Sequence, residues 1–242
     1  MHNRLGGKPG LPRLTPLSAL VREQRFVTAQ AGGVTSSLIT LPTSDLCTMN
    51  RDLHNLRAQL KERRAMLPTQ YIHSASQDIA EKFWQMPCTK RAKYIAVYMP
   101  TRGEVDCQPI IEMAWMRKKC IFVPVLRGKQ INFAPLNPGT QLVLNRFNIL
   151  EPVYSKCSLI EPRQLDIVVV PLLAFDSSLN RLGMGAGYYD RSFAFNKRRH
   201  HWRHPRLVGA AYSFQHVNNL YPASWDVPLH CVITEKESVG SC

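Results

Sequence analysis

The stretch Leu165 to Arg191, LDIVVVPLLAFDSSLNRLGMGAGYYDR, constrains the fold of this chain more than any other. An apolar, β-branched run from Leu165 to Phe175 ends in a polar turn, and a loop with glycines at 183, 185 and 187 follows. Such a run reads as a strand buried on both faces, as in a parallel sheet covered by helices. A buried strand feeding a glycine-rich loop that opens a helix builds an anion site. The missing Cβ atoms let an anion approach the backbone, and free N–H groups point at the charge. Arg181 before the loop and Arg191 after it add two guanidinium groups suited to phosphate.

The spacing is neither of two common nucleotide motifs. A P-loop needs G-x-x-x-x-G-K-[ST], and no lysine followed by Ser or Thr stands at that offset; the dinucleotide fingerprint needs G-x-G-x-x-G, and here the third glycine comes one residue early. A bare G-x-G-x-G is commoner in turns without ligands than in phosphate cradles. The flanking arginines and Asp190 lift this one above that background. A carboxylate beside phosphate is repulsive unless a cation lies between them, which points Asp190 toward Mg²⁺. It reads equally well as a first-turn residue favoured by the helix dipole.

Regular patterning begins near Asn50. Leu53, Leu56, Leu60 and Met66, interleaved with Arg57, Lys61, Arg63 and Arg64, predict an amphipathic basic helix stopped by Pro68. A second helix is expected over 69–86, a strand over 94–99, a helix over 108–118 and a strand over 120–125. Residues 130–135 and 141–144 read as shorter strands forming an edge hairpin, and 207–212 and 231–234 as the final strands. This succession implies a single α/β domain with a Rossmann-like three-layer architecture, a mostly parallel sheet with helices on both faces. Ligands in such sheets bind beyond the carboxyl ends of the strands. There Gly103-Glu104-Val105-Asp106 presents two carboxylates. Asp106 suits a cap for the following helix, whereas Glu104 lies too far upstream to cap and is weighted toward ligand binding.

Residues 1–48 are rich in glycine and proline without sustained periodicity, and are expected to be a disordered or non-native extension. The domain then spans 49–242, with Met49 as functional start. No apolar run approaches the ~20 residues that span a bilayer. Seven scattered cysteines without a C-x-x-C pair predict reduced thiols in a cytoplasmic protein, with no disulfide framework or zinc site. The net charge of +14 raises nucleic acid as a partner, and the densest cluster is 197–206. No nucleic-acid module surrounds it, so a solvated loop is favoured, and polyanionic small molecules account for a basic surface equally well.

The chain from Arg51 to Thr234 resembles the 5-formyltetrahydrofolate cyclo-ligase (methenyltetrahydrofolate synthetase) family. The matching pieces occur in order: LRAQLKERRAM, YIAVYMPTRGEVDCQPII, FVPVL, LNRFNILEP, the central glycine block, VGAAYSFQ and WDVPLHCVIT. The resemblance implies ATP-dependent conversion of 5-formyltetrahydrofolate, polyglutamylated or not, to 5,10-methenyltetrahydrofolate. ADP and phosphate are released, by way of a phosphorylated formyl group. It implies ATP contacts from Arg57, Arg181, Leu182, Gly183, Met184, Gly185, Ala186, Gly187, Tyr188 and Tyr189. Folate contacts are implied from Met99 and Glu104 and again from Met184, Gly185, Ala186, Gly187 and Tyr188. Mg²⁺ would be held by Asp190, with Asp226 as a second ligand. Two departures stand out. Leu53 occupies a position where the family often has lysine, leaving Arg51 or His54 to substitute, and His230 stands where many members carry a second acid after Asp226. The expected protein is a cytoplasmic monomer without nucleic-acid or membrane partners. The rival reading is a basic RNA-binding protein using 197–206.

Overall fold

The computed structural model describes residues 46–101, 103–145, 147–198 and 204–241. The expectation of disorder over 1–48 falls almost wholly outside them. Helix α1 (Leu46–Ala65) is followed by α2 (Thr69–Gln85) and the short α3 (Pro87–Arg91). Met86, which precedes Pro87, is extended and ends α2, as the steric demand of proline on its predecessor requires. Then come β1 (Tyr94–Ala96), α4 (Gln108–Met116), β2 (Cys120–Arg127) and β3 (Gln130–Pro135). A small hairpin, β4 (Leu142–Leu144) with β5 (Leu150–Pro152), leads to β6 (Ile167–Pro171). A second one, β7 (Ala174–Phe175) with β8 (Arg181–Leu182), leads to α5 (Tyr188–Phe193). Strands β9 (Arg206–Ala210), β10 (Cys231–Ile233) and β11 (Ser238–Gly240) complete the chain.

The central sheet has the order β11-β10-β9-β6-β1-β2-β3. Its five inner strands are mutually parallel, and the two edge strands are antiparallel to their neighbours. Alternation along the strands divides the core. Ala96, Phe122, Val168, Val170, Leu207 and Val232 share one cluster with Phe193 of α5. Their neighbours Ile95, Ile121, Val169, Val208 and Ile233 are equally buried. They face the layer where α2 packs on α4 and β10, and α4 on β2. The contact of Cys231 Sγ with Met86 Sδ, 3.7 Å, lies in that layer. This is the expected three-layer arrangement.

Two expectations are corrected. Residues 141–144 do not pair with 130–135; β3 pairs with β2 through a tight turn, and β4 belongs to its own hairpin. The apolar run 165–175 is not one strand. It leaves the central sheet after Pro171 and resumes as β7 in a separate hairpin, so β8 rather than the central strand enters the glycine loop. The turn between β7 and β8 is held by Asp176, 2% exposed, which accepts from Asn180 N (2.9 Å), Asn180 Nδ2 (3.0 Å) and Leu220 N (3.1 Å). Buried and threefold hydrogen-bonded, that carboxylate closes a hairpin that hydrophobic patterning alone cannot reveal.

The apolar face of α1 also departs from the simple pattern. Leu56 and Leu60 are buried, but the next position on the same i, i+4 ridge is Arg64, 4% exposed, whereas Met66 is 72% exposed. A buried arginine is tolerated only where acceptors meet it.

Candidate active site

Strand β1 lies between β2 and β6. The chain runs outward from β1 to β3 and then returns to β6 and runs the other way. Crevices for ligands form at the carboxyl ends of strands where the order reverses in this manner. The loops there are 97–106 and 172–187, which hold the GEVD turn and the glycine loop. Helix α1 crosses both, because Arg57 Nε donates to Gly183 O (3.1 Å) and Arg64 Nη1 to Leu172 O (3.3 Å) and Glu104 Oε1 (3.2 Å).

Glu104 therefore has one oxygen on Arg64, while Oε2 accepts from Thr101 N at 2.9 Å. Its side chain and that of Arg64 are 9% and 5% exposed. The backbone comes so close to α1 here that a Cβ on Gly103, φ +73°, would lie 2.3 Å from Arg64 O. Only glycine fits both that conformation and that gap. Met99, just beyond β1 at the start of this loop, is buried at 5% exposure. Burial, and then the Glu104 carboxylate among other neighbours, hold the Tyr189 hydroxyl well above its ordinary range. The expected residues Glu104 and Tyr189 thus come within electrostatic reach of one another. Asp106 caps α4, accepting from Gln108 N at 2.9 Å, as its spacing predicts. Burial raises its pKa against the opposing effect of that bond.

In the glycine loop, Gly185 (φ +98°) and Gly187 (φ +66°) take left-handed conformations. No N–H of residues 183–187 donates a hydrogen bond within the described residues. Five consecutive donors without protein acceptors are what an anion cradle requires. The carbonyls are held instead: Gly183 O by Arg57, and Ala186 O by Arg191 Nη2 at 2.8 Å. Arg191 also donates from Nε to Lys129 O at 3.0 Å, and its guanidinium lies 5.2 Å from the Tyr188 ring centre. Leu182 is buried, while Met184 at the loop's tip is 59% exposed.

Beside the tip is an open cleft of about 430 Å³ lined by His54, Arg57, Ala58, Lys61, Met184 and Gly185. His54, Arg57 and Lys61, spaced i, i+3, i+7, present three basic groups on one face of α1. Of the two residues expected to stand in for the lysine at Leu53, His54 is on this lining and Arg51 is not. Lys61 and Arg64 were visible only as members of a basic helix. The helical spacing from Arg57 could have marked Lys61. Nothing short of the tertiary partners marks Arg64.

Asp190 sits in the first turn of α5, as expected. Its Oδ1 accepts from Arg181 Nη2 (2.5 Å) and from Val227 N (3.2 Å), and Arg181 Nη1 donates to Val227 O (2.5 Å). These bonds bring the 223–227 turn against Asp190. Asp226 there accepts from Ala223 N through Oδ2 at 2.8 Å. His230 Nδ1 accepts from Leu207 N at 3.0 Å between β9 and β10. No group of three or more His, Cys, Asp and Glu suited to a metal occurs among the described residues. What fits this donor set is a magnesium ion carried on phosphates, which needs only one or two protein carboxylates and keeps water for the rest.

The basic cluster 197–206 falls largely on 199–203, outside the described residues; Lys197 Nζ donates to Ser224 O. No helix of the described residues is long and apolar enough to cross a membrane. Against the expectation of reduced thiols throughout, Cys88 is disulfide-bonded, while Cys107, Cys120, Cys157 and Cys231 are free. Pairing depends on proximity in space, which cysteine spacing does not report.

The model of the 5-formyltetrahydrofolate cyclo-ligase family matches residues 50–235. The 5-formyltetrahydrofolate cyclo-ligase of Haemophilus influenzae is 33% identical over 183 residues, covering 74% of this chain and 95% of its own. That of Escherichia coli K12 is 35% identical over 180 residues, covering 72% and 96%. Among solved structures, the 5,10-methenyltetrahydrofolate synthetase of Aquifex aeolicus superimposes with a TM-score of 0.66 at 32% identity, over 77% of this chain and 91% of its own. The Mycoplasma pneumoniae 5,10-methenyltetrahydrofolate synthetase gives 0.60 at 26%, over 76% and 99%.

Proposed function

This chain belongs to the 5-formyltetrahydrofolate cyclo-ligase family, and from that premise we propose that it converts 5-formyltetrahydrofolate to 5,10-methenyltetrahydrofolate with ATP as co-substrate. The observation that carries the site assignment is the row of N–H groups at 183–187 facing no protein acceptor, beside the basic face of α1.

A formyl group on nitrogen is a poor electrophile, and its oxygen a poor leaving group. In the proposed sequence that oxygen attacks the γ-phosphorus and ADP departs. Folate N10 then attacks the activated carbon and gives up its proton, the ring closes, and phosphate leaves with the former formyl oxygen. Phosphoryl transfer of this kind is accelerated by positioning and charge neutralisation rather than by a nucleophilic side chain. The loop amides, with His54, Arg57 and Lys61, would hold the triphosphate. Glu104, oriented by Arg64 and Thr101, retains acceptor capacity for pterin N–H groups, and Met99 would stand as an apolar wall beside them. Arg181, whose two Nη atoms are taken up by Asp190 and Val227 O, would act on the loop by holding its entry and orienting Asp190 rather than by meeting phosphate itself. Asp190, with Asp226 on the adjoining turn, would meet Mg²⁺ arriving on the nucleotide, whose charge offsets that of the phosphates.

A cytoplasmic compartment is part of the proposal, supported by the four free thiols and opposed by the disulfide at Cys88. RNA binding through 197–206 gains no support from the relatives named above. The test is absorbance of methenyltetrahydrofolate with and without ATP and Mg²⁺. Product that forms only with both present is expected; no product with both, or equal product without ATP, refutes the assignment.

A further inference from the structure

Arg191 is exposed, yet its side chain is held at three points. Nη2 donates to Ala186 O at 2.8 Å, Nε donates to Lys129 O at 3.0 Å, and the guanidinium lies 5.2 Å from the Tyr188 ring centre. Lys129 is in the tight turn between β2 and β3, so this side chain ties the glycine loop to the edge of the central sheet. Among the described residues the two ion pairs are Arg64–Glu104 and Arg181–Asp190, and Arg191 belongs to neither. It also lines a second cavity, of about 570 Å³, together with Arg163 and Arg198. Its Nη1 is the atom nearest to where a Cβ on Gly187 would stand, at 2.7 Å, so the guanidinium packs on the bare face of that glycine.

A trans peptide carries its C=O and the following N–H on opposite sides. With Ala186 O turned to Arg191, the N–H of Gly187 is aimed away from the guanidinium. Gly187, at φ +66° and without a Cβ, leaves this peptide plane free to flip at little steric cost. In the flipped orientation a carbonyl oxygen takes the place of that N–H and repels an anion. We infer that Arg191 is a positioning residue for the nucleotide: it locks the 186–187 peptide with its N–H toward the phosphates and does not itself meet them. The inference rests on the proposed reaction, since it takes the loop amides to hold the triphosphate. A loop that spends part of its time flipped binds with an affinity reduced by the competent fraction. Loss of the lock therefore weakens nucleotide binding and leaves the chemical step alone.

The test is calorimetric titration of the full chain with Mg²⁺ and the β,γ-imido analogue of ATP, which needs no turnover. Arg191→Ala should bind the analogue roughly three- to tenfold more weakly than wild type, as loss of one or two hydrogen bonds would give. Its affinity for 5-formyltetrahydrofolate and its melting temperature should stay at the wild-type values. In turnover, KM for ATP should rise with kcat held. Arg191→Lys, which keeps a donor for Ala186 O, should recover part of the loss. Arg163→Ala removes an equal charge from the same cavity but no bond to the loop, and should bind the analogue as wild type does. The ratio of wild type to Arg191→Ala should persist as salt is raised, since no charge of Arg191 faces the phosphates. Unchanged analogue binding in Arg191→Ala overturns the inference. So does an equal loss in Arg163→Ala, or a ratio that falls toward unity with salt, because either marks an effect of charge rather than of peptide orientation. A wild type that binds no analogue sinks the nucleotide site itself, and the inference with it.

Discussion

Arg181 and Asp190 meet at 2.5 Å, Nη2 to Oδ1, across the two ends of the glycine loop. The pair staples the loop at its entry and exit, and both partners hold the backbone of Val227 as well, Arg181 at its carbonyl and Asp190 at its N–H. Asp190→Asn keeps the shape but weakens the hold on Arg181 and on a cation. Turnover should fall by roughly 10- to 100-fold, the range for groups that orient a metal shell. Folate affinity should stay near the wild-type value. Steady-state kinetics with separate titration of folate would check this, and full activity in the variant would remove Asp190 from the site.

Arg64 and Glu104 form the more deeply buried pair. Glu104→Ala strands a guanidinium 4% exposed and should destabilise the fold by about 3–5 kcal/mol, as removal of one buried partner does. Folate binding should weaken at the same time. Glu104→Gln keeps an acceptor for Thr101 N and should lose less. Urea unfolding of both variants decides the matter, and an alanine variant within experimental error of wild type would show that the pair holds nothing.

The two glycines of the site should differ in tolerance. Gly103→Ala meets backbone at 2.3 Å, so α1 must move, and the cost should exceed the ~1–2 kcal/mol of the left-handed conformation alone. At Gly187 the nearest atom, 2.7 Å away, is the Nη1 end of Arg191, which can swing aside. Thermal melting should rank Gly103→Ala below Gly187→Ala, and equal melting temperatures would contradict the close approach of α1.

Asp106 gives a pH dependence with a definite sign. Its folded pKa is raised, chiefly by burial, so its contribution to stability is fully present below the unfolded pKa. That contribution is lost as pH rises through the folded pKa. Asp106→Asn keeps an acceptor for Gln108 N without a buried charge, and should gain on wild type as pH climbs from the carboxyl range to neutrality. Asp106→Ala loses the cap and should cost about 1 kcal/mol. Denaturant midpoints at pH 4 and pH 7 measure the difference. A constant gap between wild type and Asp106→Asn would mean that Asp106 is not shifted.

Much of the site was legible in local spacing. The glycine loop, the α4 cap at Asp106 and the place of Asp190 in the first turn of α5 follow from residues a few positions apart. For such residues the chain itself imposes proximity. Arg64 was misread for the opposite reason. Its position on the ridge of Leu56 and Leu60 demanded burial, but its charge argued for solvent. The acceptors that decide between them, Glu104 and Leu172 O, lie 40 and 108 residues away.

What the sequence by itself determined is the periodicity of its helices, the run of buried strands and the glycine conformations that a tight loop demands. These are short-range consequences of side-chain volume, polarity and φ. The tertiary structure alone decided that 165–175 breaks into two strands, that Arg181 pairs with Asp190, and that His54 and Lys61 face the loop tip while Arg163, Arg191 and Arg198 line a second cavity. Those outcomes turn on which groups meet after the sheet order reverses at β1, and burial and charge are balanced only between groups that have been brought together.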